Sequence, residues 1–266
     1  CRTTLFNWPG CWLMTQINYP STPAEWALPQ DNLIGLTTTK KGLHGKDGTM
    51  TVSPAGPNNR KSLREGLAQA NNGRGAVVQW IQQTHGIAHV YASATSTDKV
   101  PAADAVWTDQ PGVALAIQTA DCVPVLLAHR QGELVAAAHA GWRGLLGGVI
   151  ESLIDTLPGQ SADLQAWIGP CISVNHFEVG RDVWGAVRDH CPEAVIEHAI
   201  DKEKRMVDLV LFTRWCLYNC GVGQIASAQR CTYADPAFYS HRRTTVEYGP
   251  QATTGRMASV VMLKDH

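Results

Sequence analysis

Residues 113–144 read VALAIQTADCVPVLLAHRQGELVAAAHAGWRG, and their pattern decides the fold class. Three short apolar runs follow one another, Val113 to Ile117, Val123 to Ala128 and Leu134 to Ala138. Each has strand length, and their β-branched residues suit a pleated, buried surface better than a helix. The second and third are joined by Arg130-Gln131-Gly132, a short glycine-containing connection that suits a hairpin. A buried sheet with one hairpin is expected, with Cys122 beginning one strand and His139 ending the next. His139-Ala140-Gly141-Trp142-Arg143-Gly144 then leads into Leu146, Val149, Ile150, Leu153 and Leu157, apolar residues at helical spacing. That order predicts strand, glycine turn and helix, which sets His139 beside a helix amino terminus whose free N–H groups favour an anion.

Toward the amino terminus, Ala76 to Ile81 reads as a strand that delivers Gln83-Thr84-His85-Gly86, and residues 87–106 as a further strand and a loop. Leu33 to Thr39 is another strand. Gly42 to Asn59, rich in Gly, Pro, Lys and Asn, is expected to be a long surface loop, with Asn59 capping a helix from Arg60 to about Ala70. Residues 1–32 show little periodicity and read as an irregular segment, which leaves 33–266 as one domain. Toward the carboxyl terminus come a strand at Leu164 to Ile168 and helices at Gly180 to His190 and Asp208 to Cys220, the latter stopped by Gly221. Strands near Gln224 to Ala228 and Ser259 to Leu263 flank the basic run His241-Arg242-Arg243. With no internal repeat or low-complexity linker, the chain reads as a single mixed α/β (α+β) domain.

Composition narrows the function classes. A chain of 266 residues, 44% of them hydrophobic, can bury a sizeable core. A formal charge of -1 with both signs interspersed offers no footprint for nucleic acid or an anionic membrane. No apolar run reaches the roughly 20 residues that span a bilayer, and the start lacks the pattern of a secretory signal. A cytoplasmic protein is therefore expected, acting on small molecules as a monomer or weak homo-oligomer. In that compartment the eight cysteines serve as core filler or as chemistry, not as disulfides.

His85, Cys122 and His139 all fall at predicted strand ends beside glycine or turn residues, where side chains of different strands can converge. Two imidazoles and a thiolate form a borderline-soft donor set that suits zinc or copper, and three protein ligands leave a position open for water or substrate. Their separations of 37 and 17 residues match no metal-binding pattern. Taken singly, His85 also reads as a surface histidine, Cys122 as a buried thiol and His139 as a core residue after Ala136-Ala137-Ala138. Without a metal, the same three residues read as a thiolate nucleophile with an imidazole base.

Several segments together resemble the bacterial laccase-domain family. They are Thr119-Ala120-Asp121-Cys122-Val123-Pro124-Val125, Ala137-Ala138-His139-Ala140-Gly141-Trp142-Arg143-Gly144 and Thr253-Thr254-Gly255-Arg256-Met257-Ala258. Gln83-Thr84-His85-Gly86, Trp167-Ile168-Gly169-Pro170, Phe177-Glu178-Val179 and Arg230-Cys231-Thr232-Tyr233 extend the resemblance over roughly residues 33–263. Members of that family are described both as multicopper polyphenol oxidases and as purine nucleoside phosphorylases. The resemblance implies a β-sandwich flanked by helices on both sides, and a metal site made by His85, Cys122 and His139, which are also the catalytic residues. Candidate substrate contacts are Lys40, Gln83, Arg143, Arg242 and Arg256, the four cations being suited to hold a phosphate by charge-assisted hydrogen bonds. Two departures are visible. Thr38-Thr39-Lys40-Lys41-Gly42-Leu43 stands where the family has Ser-Thr-Arg-x-Gly-Gly, and additional residues separate Arg243 from Thr253. A lysine at position 40 cannot reproduce the bidentate grip of an arginine on an anion.

Three activities compete on this basis. One is zinc-dependent phosphorolysis of purine nucleosides (adenosine, inosine, methylthioadenosine) with phosphate as cosubstrate, accompanied by adenosine deamination. A second is copper-dependent oxidation of phenols. The ten histidines, however, include none of the His-x-His pairs that a copper cluster of the cupredoxin type uses. The third is a cysteine- or metal-dependent amidase that edits a cell-wall precursor. A non-enzymatic binding module would instead hold its metal with four protein ligands.

Overall fold

The computed structural model describes residues 21–26, 31–41, 47–50, 56–95 and 99–265. Its first half holds strands β1 (Ser21–Pro23) and β2 (Leu33–Thr38), helix α1 (Gly56–Ala70), and strands β3 (Val77–Trp80), β4 (His89–Tyr91), β5 (Ala105–Thr108) and β6 (Val113–Thr119). Strands β7 (Val123–His129) and β8 (Val135–Ala140) lead to helices α2 (Trp142–Gly147) and α3 (Val149–Ile154). After β9 (Leu164–Ile168) come β10 (Glu178–Val179), α4 (Arg181–His190), β11 (Val195–Glu197), β12 (Arg205–Val207) and α5 (Leu209–Asn219). The chain closes with β13 (Gln224–Ser227), α6 (His241–Tyr248) and β14 (Met257–Leu263).

Two sheets pack face to face, one of order β1-β2-β14-β6-β3 and one of order β13-β9-β7-β8-β5-β4, with a small β10-β12-β11 sheet beside them. The alternation of side chains along each strand explains how both faces are buried. Leu115 and Ile117 on β6 meet Leu126 on β7, Val135 and Ala137 on β8, and Trp167 on β9 in the layer between the sheets. Their neighbours Val125, Leu127, Ala136 and Ala138 point the other way, against Leu145, Ile150 and Leu153 and the apolar residues of α4 and α5. On the far side of the first sheet, Ala114, Ala116 and Val260 pack under Leu63 and Leu67 of α1. The result is the expected β-sandwich with helices on both sides. Full burial of one such leucine contributes about 1.5–3 kcal/mol, so the three layers dominate stability. No helix among the described residues is long and apolar enough to cross a membrane.

Several local expectations are corrected. The three apolar runs do not share a sheet: β6 lies in one, while the hairpin β7–β8 lies in the other. The crossover runs through residues 120–122, where Asp121 takes a left-handed backbone (φ 92°). The apolar stretch after Trp142 is two short helices rather than one, because Gly148 adopts φ 89° between them. Helix α1 starts at Gly56, so Asn59 is helical and donates its amide to the carbonyls of Asp47 and Thr49 instead of capping. Parts of the expected 42–59 loop, residues 42–46 and 51–55, lie outside the described residues. So do residues 1–20 and 27–30 of the amino-terminal segment, within which Ser21–Pro23 pairs antiparallel with β2. The basic run at 241–243 opens a helix, capped by Ser240 Oγ accepting from the Arg243 N–H.

Candidate metal centre

Cross-strand pairing and two buried carboxylates place the three candidate ligands. His139 lies near the end of β8 opposite Pro124, so the register of the β7–β8 hairpin brings Cys122, just before β7, alongside it. His85 sits in the turn after β3 with a left-handed backbone (φ 61°), a conformation that a non-glycine residue holds only when its surroundings enforce it. Asp104, directly before β5 and without solvent exposure, supplies that enforcement. Its carboxylate accepts the backbone N–H groups of Thr84 (3.1 Å), His85 (2.9 Å) and Gly86 (2.7 Å) and the Thr84 hydroxyl (2.8 Å). His139 Nδ1 donates to the same carboxylate at 2.8 Å, and the His139 N–H donates to the Asp104 carbonyl at 2.7 Å. Asp121 does the corresponding work for Cys122. Its carboxylate accepts the Thr232 hydroxyl and the Arg242 N–H, both at 2.6 Å, and its carbonyl accepts from Ile172.

The donor atoms of His85, Cys122 and His139 all lie within 4.8 Å of one another. Cys122 Sγ is 3.9 Å from His85 Nε2, and the two imidazoles meet edge to face with centroids 4.7 Å apart. Burial is graded: His139 is buried, Cys122 half-buried and His85 exposed, so the cluster opens on the His85 side. Burial pushes the Cys122 thiol up, yet hydrogen bonds and charge from His139 and His85 outweigh it and bring the pKa down to about 6. Burial likewise opposes the charged form of His139, but Asp104 and Cys122 raise it to about 9. Asp104 itself is desolvated, and its donors nevertheless hold it well below the usual carboxylate range. A thiolate beside two imidazoles at this spacing fits a zinc-type ion. Metal–sulfur and metal–nitrogen bonds of about 2.3 and 2.0 Å require donors a little closer together than these. Among the described residues this is the one cluster of three or more such donors. Burial pushes the thiols of Cys171 and Cys216 far up, and that of Cys220 to about 11.

The expected substrate residues are placed unequally. Arg143 is exposed on α2, its guanidinium 4.2 Å from the Trp142 ring centroid. It follows Gly141, where an added Cβ would stand 3.2 Å from both Cys122 Sγ and His85 Cδ2. Lys40 is exposed with its ammonium over the Tyr239 ring. The Gln83 amide is engaged at both ends with the Gln118 backbone, at 2.7 Å each. Arg242 donates to the carbonyls of His176 and Glu178, and Arg256 to those of Thr254 and Gly255. Asp104 escapes a sequence reading based on ligand chemistry. Its one visible signal is an acid inside the otherwise apolar Pro101-Ala102-Ala103-Asp104-Ala105-Val106, where burial demands partners.

Comparison with known proteins agrees with this architecture. The chain is 40% identical over 190 residues to the Pseudomonas aeruginosa protein named purine nucleoside phosphorylase, covering 70% of this chain and 74% of that one. To the Escherichia coli purine nucleoside phosphorylase YfiH it is 39% identical over 194 residues, covering 69% and 73%. The crystal structure of Neisseria meningitidis protein NMB0706 matches with a TM-score of 0.76 at 34% identity, over 92% of this chain and 99% of that one. That of YlmD from Geobacillus stearothermophilus matches with a TM-score of 0.73 at 28% identity, over 88% and 93%. A family model described as multi-copper polyphenol oxidoreductase laccase matches residues 41–264. The chain belongs to that family.

Proposed function

We propose that the chain is a zinc-dependent purine nucleoside phosphorylase of the cytoplasm, built around His85, Cys122 and His139, with adenosine deamination as a side activity. The observation that carries this reading is the donor cluster itself, two imidazoles and a lowered-pKa thiol open on one side, taken with the names of the relatives. A single three-donor cluster suits a lone zinc better than the several coppers that four-electron reduction of dioxygen needs. Zinc held there would act as a Lewis acid toward a phosphate or substrate oxygen. In the reaction a phosphate oxygen attacks the ribose C1′, the C1′–N bond breaks, and its electron pair leaves with the base, which takes up a proton. Arg143, charged, exposed and two residues after Gly141, is suited to hold the phosphate through charge-assisted hydrogen bonds, and Lys40 offers a second cation. Gln83, Arg242 and Arg256 would shape the site mainly through the backbone they fasten.

A second reading is favoured by one observation: Cys122 Sγ lies within reach of His85 Nε2, as in a thiolate–imidazole pair that attacks an amide without metal. Purification without added metal, quantification of zinc and copper, and parallel assays of adenosine and inosine with phosphate and of a phenolic dye separate these readings. We expect about one zinc per chain, as a three-ligand catalytic site holds, and phosphorolysis that disappears together with the metal in His139→Ala. Phosphorolysis that survives loss of the metal would show the mechanism to be wrong. A metal-free protein inactivated by alkylation supports the thiol reading.

A further inference from the structure

Asp104 is not a member of the donor triad, yet its carboxylate holds two of the three members. His139 Nδ1 lies 2.8 Å from Oδ1. An ionised carboxylate only accepts, so the proton sits on Nδ1 and Nε2 is left as the ligating nitrogen. The same Oδ1 accepts the His85 N–H at 2.9 Å, while Oδ2 takes the N–H groups of Thr84 and Gly86. Three successive N–H groups converging on one anion form a backbone nest. This nest supports the left-handed conformation of His85 (φ 61°), which an ordinary residue rarely adopts. With His85 so held, its Nε2 lies 3.9 Å from Cys122 Sγ. Asp104 is itself fixed, its N–H donating to the Ala88 carbonyl at 2.8 Å and its carbonyl accepting from His139. Cys122 is served by a different carboxylate, Asp121.

We infer that Asp104 is the positioning residue of the centre, the group that sets His85 and His139 in ligating geometry together, so that the two imidazoles are gained and lost as a unit. The inference rests on reading the triad as a metal site. A buried carboxylate that merely stabilised the fold would affect zinc binding equally whether or not His85 were present. A carboxylate that positions both ligands loses part of its effect when one of them is gone.

The test is a cycle of zinc affinities, by competition with a chelator of known strength, for wild type, Asp104→Asn, His85→Ala and the double variant. Loss of a partner that orients one ligand weakens metal binding about 10–100-fold. Asp104→Asn should reach at least the upper end of that range, and should weaken zinc by a clearly smaller factor in the His85→Ala background. Equal factors in the two backgrounds, or unweakened binding by Asp104→Asn, overturn the inference. The wild-type protein supplies a readout independent of whether the variants fold. In the zinc-loaded protein, nitrogen-15 correlation spectra of the imidazoles should show His139 with its proton on Nδ1 and zinc on Nε2; the reverse assignment overturns the inference. Wild-type protein that takes up no zinc overturns the metal reading and this inference with it, whereas a zinc-loaded wild type with unaffected variants overturns this inference alone.

Discussion

Gly141 lies against the side chains of Cys122 and His85, and what it lacks matters more than what it contributes. Its backbone (φ −66°) is open to any residue, so a substitution there acts only through the volume it adds. A methyl group would press on Cys122 Sγ and His85 Cδ2, both at 3.2 Å, and one ligand or the other must give way. Gly141→Ala should therefore reduce zinc affinity on the order of tenfold, comparable to disturbing a group that orients a ligand, while the melting temperature of the metal-free protein stays close to wild type. Chelator competition and thermal melts on the same preparation check both halves. Unchanged affinity would show that the ligands have room to spare. At this scale the grouping of His85, Cys122 and His139 was legible from their motifs, although their spacing was mute. Asp104 was not, because its partners lie 18 to 35 residues away in the chain and meet only after β3, β5 and β8 have paired into the sandwich. Gln83 and Arg242 carry side-chain chemistry that the sequence offers equally to substrate or to backbone, and only the fold shows the backbone engaged.

At the level of elements, the apolar periodicity from Leu146 to Leu157 describes a continuous helix, whereas Gly148 divides it into α2 and α3. The two descriptions give opposite signs for one substitution. In a continuous helix, exchanging an interior glycine for alanine stabilises by up to about 1 kcal/mol. At φ 89° the same alanine is forced into the left-handed region and destabilises by about 1–2 kcal/mol. Gly148→Ala is thus expected to lower the denaturant midpoint without changing the slope of the transition. A raised midpoint would restore the single helix. The central strands β6, β7, β8, β9 and β14 were read well because burial on both faces makes them nearly uninterrupted apolar runs. Their sheet membership was not, since Val113–Thr119 and Val123–His129 look alike and differ only in which side of the Asp121 turn they occupy. Helix α6 went unread for a related reason: none of its residues is buried, so it carries no apolar stripe, and its start is marked only by the Ser240 cap.

For the whole molecule, the sandwich itself supplies the contacts that draw the centre together. The strand ladder aligns His139 with the Cys122 turn, Asp121 and Asp104 fasten the two turns, and the apolar layers on both faces of the β7–β8 hairpin hold the frame. Small metal domains behave differently, because they fold only when the ion supplies the free energy that a small core cannot. With zinc bound as proposed, its removal should therefore leave the far-ultraviolet circular dichroism unchanged. On the proposed reading zinc would still stabilise by mass action, through its preference for the folded chain over the unfolded one. Free zinc at a hundred times the dissociation constant contributes about 2.7 kcal/mol. A domain of this size shifts its midpoint by roughly 2–4 °C per kcal/mol, so thorough chelation should lower the melting temperature by roughly 5–10 °C. Readdition of zinc should restore it in proportion to the logarithm of the free concentration. Collapse of the secondary structure on chelation would show that the ligands depend on the ion for their positions, and that the two carboxylates do not hold the site unaided.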